Sequence, residues 1–395
     1  MSEIEPAQSQ PVQTETVQPE PTKGAGFFRR QRTGTIIGCA AALVLVIGVD
    51  GIALGAGIVA QQAAAQAMIA HQYRSQPTIV QPRHATLTTT PATAAQKAGL
   101  VTILTDLFYQ KDQQAAGTGT ILTSSGEILT NNHVVAGSTT IQVTVESTGT
   151  TYAANVVGTD AVDDVAVLQL VDSSGHDVSG LTTVGIDKTH TVAIGDAITS
   201  IGNARGTGHL VVAAGTVAGV DQPITVSNDL TGQPQSLTGL IELNSEIVPG
   251  DSGGPLLDSR NDVVGMVTAA SSGGSNIKGF AIPIATALSI VSTIELGTTT
   301  ANVLIGLPAF LGVTFASGGT TTTISGMVPG KAAEAAGLVA GDTITSVDGT
   351  AVFTQDQLSS LIKSHAAGAQ VVIAYTDATG ATQSVPVTLG VGPAA

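Results

Sequence analysis

The sequence predicts a mainly β protein preceded by an N-terminal membrane-spanning segment. Glycine accounts for 47 of the 395 residues, only 3% of residues are aromatic, and tryptophan is absent. From residue 97 onward, short runs of small and β-branched residues alternate with glycine-rich turn signals. This pattern is typical of barrels built from short strands rather than of helical bundles. A chain of this length can form two or three domains.

Charge, cysteine and histidine content exclude several functions. The formal net charge of −15 argues against electrostatic binding of nucleic acid, so we expect no nucleic-acid partner and assign the charge to solubility. The single cysteine, Cys39, allows no intrachain disulfide. It begins an apolar run, whereas a lipid-attachment motif should end one. The seven histidines are scattered without metal-ligand spacing, so we expect no metal and no cofactor.

The N-terminal region divides into a tail and an apolar segment. Residues 1–34 are polar and predict a disordered cytoplasmic tail. Residues 35–60 are apolar except for Thr35 and Asp50, and their length fits one transmembrane helix of about 20 residues. Because a basic cluster precedes this segment, we expect a single-pass protein with its N-terminus in the cytoplasm and its bulk outside the cell. The cluster comprises Lys23, Arg29, Arg30 and Arg32.

Alternatives stay open for this segment. Burial of Asp50 is costly, so the span can shift toward residues 33–50, or Asp50 can be protonated or paired. A cleaved signal peptide competes with the anchor, because the alanine-rich residues 60–70 offer small-residue cleavage sites. Residues 61–96 are rich in Ala, Gln, Thr and Pro and predict a linker.

Ser252 is the candidate nucleophile. It lies in the run Gly-Asp-Ser-Gly-Gly-Pro-Leu at residues 250–256, between apolar stretches that predict strands. A serine hydroxyl attacks a carbonyl when a base accepts its proton and backbone amides hold the resulting oxyanion. Glycines let amides face inward, and we assign the oxyanion hole to the amides of Gly250 and Ser252. A chance glycine-rich turn is the structural alternative.

A candidate base and acid lie upstream. His133 ends the β-rich run that begins at residue 126, and an imidazole titrates near working pH. Asp164 directly precedes an apolar strand and should orient His133, although Asp160 and Asp163 compete for this role. Adjacent strand residues face opposite sides, so Asp163 and Asp164 should diverge. The chain order His, Asp, Ser is that of chymotrypsin-type proteases.

With these motifs the chain resembles the HtrA (DegP/DegS) family of trypsin-like serine proteases over about residues 97–392. The resemblance implies a chymotrypsin-like double β-barrel over residues 97–298, with the base and acid in the first barrel and the nucleophile in the second. It also implies a closing helix from Ile284 to Ile294. The matching segments are Thr130–Val135, Asp164–Leu168, Gly250–Pro255 and Gly279–Pro283. The strands we predict within the barrels cover residues 117–122, 140–145, 154–158, 165–170, 197–202, 211–220, 240–243, 265–269 and 279–282.

Residues 303–392 resemble an α+β PDZ domain in the arrangement of this protease family. Segments 329–338 and 341–344 carry the resemblance, and Gly337 fits a helix C-cap. Thr354 and Gln357 have capping-box spacing before a second helix, whose apolar face we assign to Leu358, Leu361 and Ile362. The peptide groove should open at Leu311, Gly312, Val313 and Thr314, where amides hold a terminal carboxylate while the peptide adds as a strand. The alternative is an ordinary buried strand.

Two positions depart from the family pattern. Many members have Asn where this chain has Asp251, and in digestive relatives an aspartate there pairs with a newly cut N-terminus. No such terminus is evident, so Asp251 needs another partner or remains solvated. Glu246 lies six residues before Ser252, at the floor of the specificity pocket in trypsin-like enzymes. It either attracts Lys or Arg or is an exposed loop acid; the family commonly prefers small aliphatic residues.

Together these observations predict a membrane-anchored serine endopeptidase that cuts misfolded or signalling proteins, with a PDZ domain that binds peptide C-termini. One alternative is a catalytically silent peptide-binding scaffold or chaperone, and another is a secreted digestive protease. Relatives are often homotrimers. Phe108 and Tyr109 alone do not assign the aromatic contacts of such an assembly.

Overall fold

The computed structural model describes residues 90–109, 113–189, 191–227, 234–270, 278–316 and 318–394. The predicted tail at 1–34, the predicted span at 35–60 and most of the predicted linker lie outside the described residues. No helix within those six ranges has the length and apolar character to cross a membrane. The transmembrane helix therefore stays a prediction.

The first barrel contains six antiparallel strands closed into a ring. Strand β1 (Thr90–Pro91) precedes them, and the short helix α1 (Asn132–Val135) joins the third strand to the fourth. The ring runs β2-β3-β4-β7-β6-β5 and returns to β2. Alternate residues of these strands point inward and form a core of Val, Ile and Leu side chains. The six strands are β2 (Leu100–Leu107), β3 (Gln114–Ile121), β4 (Glu127–Thr130), β5 (Ser138–Val145), β6 (Thr150–Asp160) and β7 (Val165–Val171).

The second barrel repeats this architecture. Its ring runs β8-β9-β10-β13-β12-β11 and returns to β8. Strand β1 pairs with β9, with Thr90 opposite Val212, so the end of the predicted linker already belongs to this sheet. A 3₁₀ turn (Ala204–Gly206) follows β8. The six strands are β8 (Ala197–Gly202), β9 (Val211–Ser227), β10 (Pro234–Asn244), β11 (Pro255–Leu257), β12 (Val263–Ala270) and β13 (Gly279–Pro283).

An apolar cluster joins the two barrels. It contains Leu129 and Val167 of the first barrel and Ile201 and Met266 of the second. Helix α2 (Ile284–Glu295), close to its predicted bounds, contributes four buried side chains to the same cluster. Burial of this shared surface holds the barrels in one relative position, on which a site built from both depends.

Strand β14 corrects one predicted boundary. It covers Val303–Ile305, which we placed at the start of the PDZ domain, but it pairs with β6 and extends the first barrel. The strand that pairs with β14 lies far from it in the sequence, so no local pattern reveals this pairing. The next strand, β15 (Ala309–Phe310), pairs instead with the last strand of the chain.

The C-terminal region folds around its own apolar core. Helix α4 (Gln355–Lys363) begins as the capping pattern predicts, because the Thr354 hydroxyl accepts from the Gln357 backbone amide at 3.2 Å. Its predicted face is confirmed by the burial of Leu358 and Ile362. Gly337 follows α3 at φ +83°, the left-handed conformation expected of a C-cap glycine. The elements are β16 (Val313–Phe315), β17 (Ile324–Met327), α3 (Ala332–Ala335), β18 (Thr343–Val347), β19 (Thr350–Ala351), α4 (Gln355–Lys363), β20 (Gln370–Thr376), β21 (Thr382–Thr388) and β22 (Gly390–Val391).

A pair of acids, Glu127 of strand β4 and Glu295 of helix α2, predicts how stability depends on pH. Burial, and then the like charge of Glu295, raise the pKa of Glu127 from 4.5 to about 7. The folded protein therefore binds this proton more tightly than the unfolded chain, so stability falls as pH rises from about 4.5 through 7. We expect Glu127→Gln to raise the melting temperature at about pH 8 and to leave it unchanged at about pH 4.5. Glu334→Gln is the control, and an equal effect of Glu127→Gln at both pH values would contradict the assignment.

Candidate active site

A buried carboxylate holds the histidine at two points. The side chain of Asp164 is 4% exposed, whereas that of His133 is 36% exposed. One carboxylate oxygen lies 2.8 Å from Nδ1 of His133, and the other accepts from the His133 backbone amide at 3.0 Å. Asp164 thus orients both the imidazole ring and the backbone of His133. A carboxylate on Nδ1 favours the tautomer with a proton at that nitrogen and stabilises the imidazolium cation.

A tight turn directs Asp164 toward His133. Asp164 has φ +56°, a left-handed conformation that is uncommon outside glycine. The Asp160 carboxylate accepts from the amides of Val162 and Asp163 at 2.9 and 3.0 Å and shapes this turn. The Asn131 side-chain amide donates to the Asp164 carbonyl at 2.9 Å. Among the three acids that the sequence offers, Asp164 contacts His133, whereas Asp160 shapes the turn.

Thr268 of strand β12 contacts both the acid and the candidate nucleophile. Its hydroxyl donates to the Asp164 carboxylate, and its carbonyl accepts from the Ser252 hydroxyl at 3.3 Å. Thr268 is buried at 3% exposure. The sequence predicts this residue only as part of a strand. The available signal was a hydroxyl residue in an otherwise apolar run.

Hydrogen bonds from the first barrel and from the 3₁₀ turn lock the loop around Ser252. The hydroxyl of Thr118 donates to the Gly250 carbonyl at 2.8 Å, and the Thr118 amide donates to the Ser252 carbonyl at 2.9 Å. The Arg205 amide donates to the Pro249 carbonyl at 2.6 Å. Because N–H and C=O of a trans peptide point in opposite directions, the Gly250 amide faces away from Arg205. In the described part of the chain, the Gly250 and Ser252 amides donate to no protein group, as an oxyanion hole requires.

Close packing explains the glycines of this loop. Gly250 has φ +97°, and a Cβ there would lie 2.1 Å from the Asn203 carbonyl oxygen. Gly253 has φ +80°, and a Cβ there would lie 2.1 Å from the Thr118 carbonyl oxygen. Both positions exclude other residues by backbone conformation and by contact. Thr118, like Thr268, was predicted only as part of a strand.

Asp251 is buried beside the nucleophile. It is 4% exposed, and one carboxylate oxygen accepts from the Val248 amide at 2.9 Å. Burial, with a further contribution from the charge of Glu246, raises the pKa of Asp251 to about 6, against the lowering effect of the Val248 hydrogen bond. Of the two alternatives for Asp251, solvation is therefore wrong, and another partner, the Val248 backbone amide, is present. Glu246 is exposed and lines a small cavity together with Asp251. Neither observation tests whether Glu246 attracts a Lys or Arg of the substrate, so that role stays a prediction.

The predicted peptide groove is a cavity of about 420 Å³. Segment 311–314 forms one wall, and Leu358 and Ile362 of α4 lie opposite. The carbonyls of Leu311 and Gly312 accept from the amides of Ala333 and Val328, at 2.8 and 2.9 Å. Within the described residues, the backbone amides of Leu311 and Gly312 donate no hydrogen bond. The groove therefore has an apolar lining with backbone donors beside it.

Two aromatic residues of the first barrel line the same cavity, namely Phe108 and Tyr109. The Tyr109 ring stacks on Phe310 at a centroid distance of 6.0 Å, and the Lys331 ammonium lies 4.4 Å from the Tyr109 ring centroid. The Tyr109 hydroxyl donates to the Val391 carbonyl at 3.3 Å. Tyr109, one of the two aromatic residues that we considered for contacts between subunits, thus contacts the C-terminal domain of its own chain.

An acidic group on the second barrel has a cation of its own. Within the described ranges, Asp187, Asp258 and Asp262 are close enough together to suggest a metal site. Arg260 lies among them and forms ion pairs with all three carboxylates. The arginine offsets part of the negative charge of these three carboxylates.

Two protein-family models match parts of this chain. The family model for the trypsin-like peptidase domain matches residues 117–266, and the model for the PDZ domain matches residues 323–375. "Serine protease PepD" of Mycobacterium tuberculosis is 30% identical over 313 residues, which cover 74% of this chain and 63% of that protein. "Protease Do-like 1, chloroplastic" of Arabidopsis thaliana is 32% identical over 281 residues, covering 66% and 60%. A solved structure, "HtrA-type protease AlgW with tripeptide", is 25% identical with a TM-score of 0.42, covering 76% of this chain and 98% of that chain.

The chain thus contains a trypsin-like peptidase domain followed by a PDZ domain. Its homologues are HtrA/DegP serine proteases. It spans less than two thirds of the length of the curated relatives named above.

Thr268 provides a test of the site. Thr268→Val keeps the side-chain shape but removes the hydrogen bond to Asp164. A hydrogen bond to a charged group contributes about 1.5–3 kcal/mol, so we expect kcat on a peptide substrate to fall about tenfold or more, with KM little changed. Thr268→Ser retains the hydroxyl and should restore most of the rate. If the serine variant is as slow as the valine variant while both melt like the wild type, the hydroxyl does not position Asp164.

Proposed function

We propose that this chain is a serine endopeptidase that hydrolyses peptide bonds through an acyl-enzyme. Ser252 is the nucleophile, His133 is the general base and acid, and Asp164 orients the imidazole. The observation that carries the proposal is the contact of Thr268 with both Asp164 and Ser252, which brings the two barrels' candidate residues to one place. The fit of residues 117–266 to trypsin-like peptidases supports it independently.

Each residue has a defined part in the reaction. The Ser252 hydroxyl oxygen attacks the substrate carbonyl carbon while His133 accepts its proton. His133 then donates that proton to the leaving amine, and the acyl-enzyme forms. Water then attacks the carbonyl carbon of the acyl-enzyme while His133 accepts its proton. His133 returns that proton to the Ser252 oxygen as the acid product leaves. Asp164 keeps its negative charge throughout and stabilises the imidazolium.

The loop at residues 249–253 supplies the oxyanion hole. The amides of Gly250 and Ser252 donate to the oxygen that becomes negative in the tetrahedral intermediate. Loss of one such donor typically lowers turnover by about 10²–10³. Because the Arg205 and Gly254 amides hold the Pro249 and Asp251 carbonyls of the same peptide units, the hole is formed before substrate arrives and needs little rearrangement.

The PDZ groove binds the C-terminus of a peptide or an unfolded protein. The Leu311 and Gly312 amides receive the terminal carboxylate, and the peptide adds as a strand along Val313 and Thr314. The apolar opposite wall, with Leu358 and Ile362, favours an apolar last side chain. Substrates are thus misfolded or signalling proteins whose C-termini are exposed.

Membrane attachment completes the proposal. The apolar segment at 35–60 and the basic cluster before it support a single-pass anchor with the protease domain outside the cell. Assembly as a homotrimer is part of the same proposal, by analogy with the family. A catalytically silent scaffold is the alternative. The contact of Asp164 with His133, and of Thr268 with both Asp164 and Ser252, disfavours it.

A fluorophosphonate probe separates these two functions, because it reacts with an activated serine. We expect the wild type to be labelled and to cleave denatured casein, and Ser252→Ala to lose labelling and to lower cleavage by several orders of magnitude. Ser289→Ala, at an exposed position on α2, is the matched control and should behave as the wild type. A folded wild type that is neither labelled nor active would favour the scaffold.

A second test concerns the groove. Gly312 has φ +83°, and a Cβ there would lie 2.5 Å from the Lys331 side chain. We expect Gly312→Val to weaken binding of fluorescent peptides with a free apolar C-terminus at least tenfold, as measured by polarisation. Gly368→Val is the matched control, because Gly368 also has a positive φ but has no neighbour within 4 Å of its Cβ position. Equal binding of free and amidated peptides by the wild type would contradict carboxylate recognition.

A further inference from the structure

Aromatic side chains are concentrated in the peptide groove. Only 3% of the chain is aromatic, yet among the described residues Phe108, Tyr109, Phe310 and Phe315 all line this cavity. Phe310 and Phe315 belong to the C-terminal domain, whereas Phe108 and Tyr109 directly follow strand β2 of the first barrel. Aromatic rings bury a large apolar area and pair favourably with other rings. Two domains thus contribute aromatic groups to one groove.

An unusual turn presents the two rings of the first barrel. Phe108 and Tyr109 have φ of +51° and +59°, a left-handed conformation that bulky side chains rarely adopt. The Phe108 amide donates to the Gly137 carbonyl at 2.9 Å. The Phe108 ring packs against Gly137 so closely that a Cβ there would lie 2.6 Å from the ring. A conformation of this kind persists where the surroundings fix it, and such positions cluster at ligand sites and switch regions.

Hydrogen bonds between the two domains hold this turn beside the groove. The Ala394 amide donates to the Ser138 carbonyl at 3.1 Å, and the Gly137 amide donates to the Ala394 carbonyl at 2.8 Å. Ala394 is buried in the apolar core of the first barrel. The Tyr109 hydroxyl adds its bond to the Val391 carbonyl. The aromatic wall is therefore in place before a peptide arrives.

Tyr109 lies at the end of the groove that carries the proposed carboxylate donors. Its ring stacks on Phe310, which directly precedes Leu311, and it lies 4.4 Å from the Lys331 ammonium. The Lys331 side chain packs against Gly312, because a Cβ there would lie 2.5 Å from it. Leu311 and Gly312 carry the amides that we assign to the peptide carboxylate. The side chain next to that carboxylate is the last one of the peptide, so Tyr109 is placed to contact it.

The aromatic wall leaves room for a ligand. The cavity of about 420 Å³ falls within the range of about 300–1,000 Å³ that is usual for ligand pockets. Phe108 and Tyr109 are 40% and 38% exposed, so both rings retain apolar surface that a ligand can cover. A ring that filled the groove in place of a peptide would be buried there. The two rings therefore form a wall of the groove and do not block it.

We propose that Phe108 and Tyr109 of the first barrel determine the specificity of the PDZ groove by selecting an aromatic last residue of the bound peptide. The last ring of the peptide packs between Tyr109 and the apolar residues Leu358 and Ile362 of α4. A small last residue such as alanine leaves these surfaces uncovered. The inference rests on the proposed function of the groove as a site for peptide C-termini. It adds which last residue the groove selects and that the protease domain makes the selection.

Two fluorescent peptides test this specificity on the full-length chain. They end in a free Phe or a free Ala, are otherwise identical, and are compared by polarisation. We expect the wild type to bind the Phe peptide about tenfold more tightly, and Tyr109→Ala to lower this ratio to about threefold or less by weakening the Phe peptide. Tyr109→Phe keeps the ring but loses the bond to Val391, and should retain the ratio. Leu104→Ala, which removes an exposed apolar side chain of β2 outside the cavity, is the matched control.

Equal binding of the two peptides by the wild type would overturn the proposal. So would a Tyr109→Ala variant that weakens both peptides by the same factor, because the residue would then only support the domain interface. If Tyr109→Ala does not melt like the wild type, Phe108→Leu decides by the same ratio, since it keeps apolar bulk without the ring.

The amidated Phe peptide separates this inference from the proposed function of the groove. A wild type that binds the free peptides equally but rejects the amidated one keeps its carboxylate site and loses the aromatic selection. A wild type that binds neither free peptide loses both.

Discussion

The hydrogen bonds of Thr118 to the loop around Ser252 are the constraint on which the site depends. Thr118 belongs to the first barrel, and the Gly250 and Ser252 carbonyls that accept from it belong to the second. These bonds fix the loop to the first barrel, while the Arg205 and Gly254 amides hold the Pro249 and Asp251 carbonyls, whose peptide units carry the Gly250 and Ser252 amides. They hold only while the apolar cluster between the barrels keeps the two sheets in register. Packing energy thus maintains the geometry, and the hydrogen bonds orient individual groups.

Two buried aspartates near the nucleophile have opposite electrostatic environments. Asp164 receives hydrogen bonds from the His133 backbone and from Thr268, besides its contact with the imidazole. These contacts fix the orientation of the Asp164 carboxylate, which the proposed mechanism requires. Asp251 receives one donor and has a second oxygen without a partner. Burial raises the pKa of Asp251 to about 6, so its charge destabilises the folded state as pH rises through that value.

Sequence patterns located the residues of the site but not the contacts that position them. The motifs around His133, Asp164 and Ser252 are local and chemically distinctive, so each residue could be assigned from its neighbours along the chain. Thr118 and Thr268 act on partners 132 and 104 residues away, and their own surroundings look like ordinary strands. The pairing of β14 with β6 was missed for the same reason. The capping box of α4 was found because its hydrogen bond spans three residues.

The sequence by itself determined the mainly β class, the order of the domains, the three polar residues of the site and the glycines that surround the nucleophile. These properties follow from short-range patterns, such as strand periodicity and the need for positive φ. The tertiary structure decided which of three acids contacts His133, that Asp251 is buried with one oxygen unpartnered, and that Tyr109 packs against the PDZ domain. Burial and partner choice depend on residues far apart in the chain, because only the packing of whole strands brings them into contact.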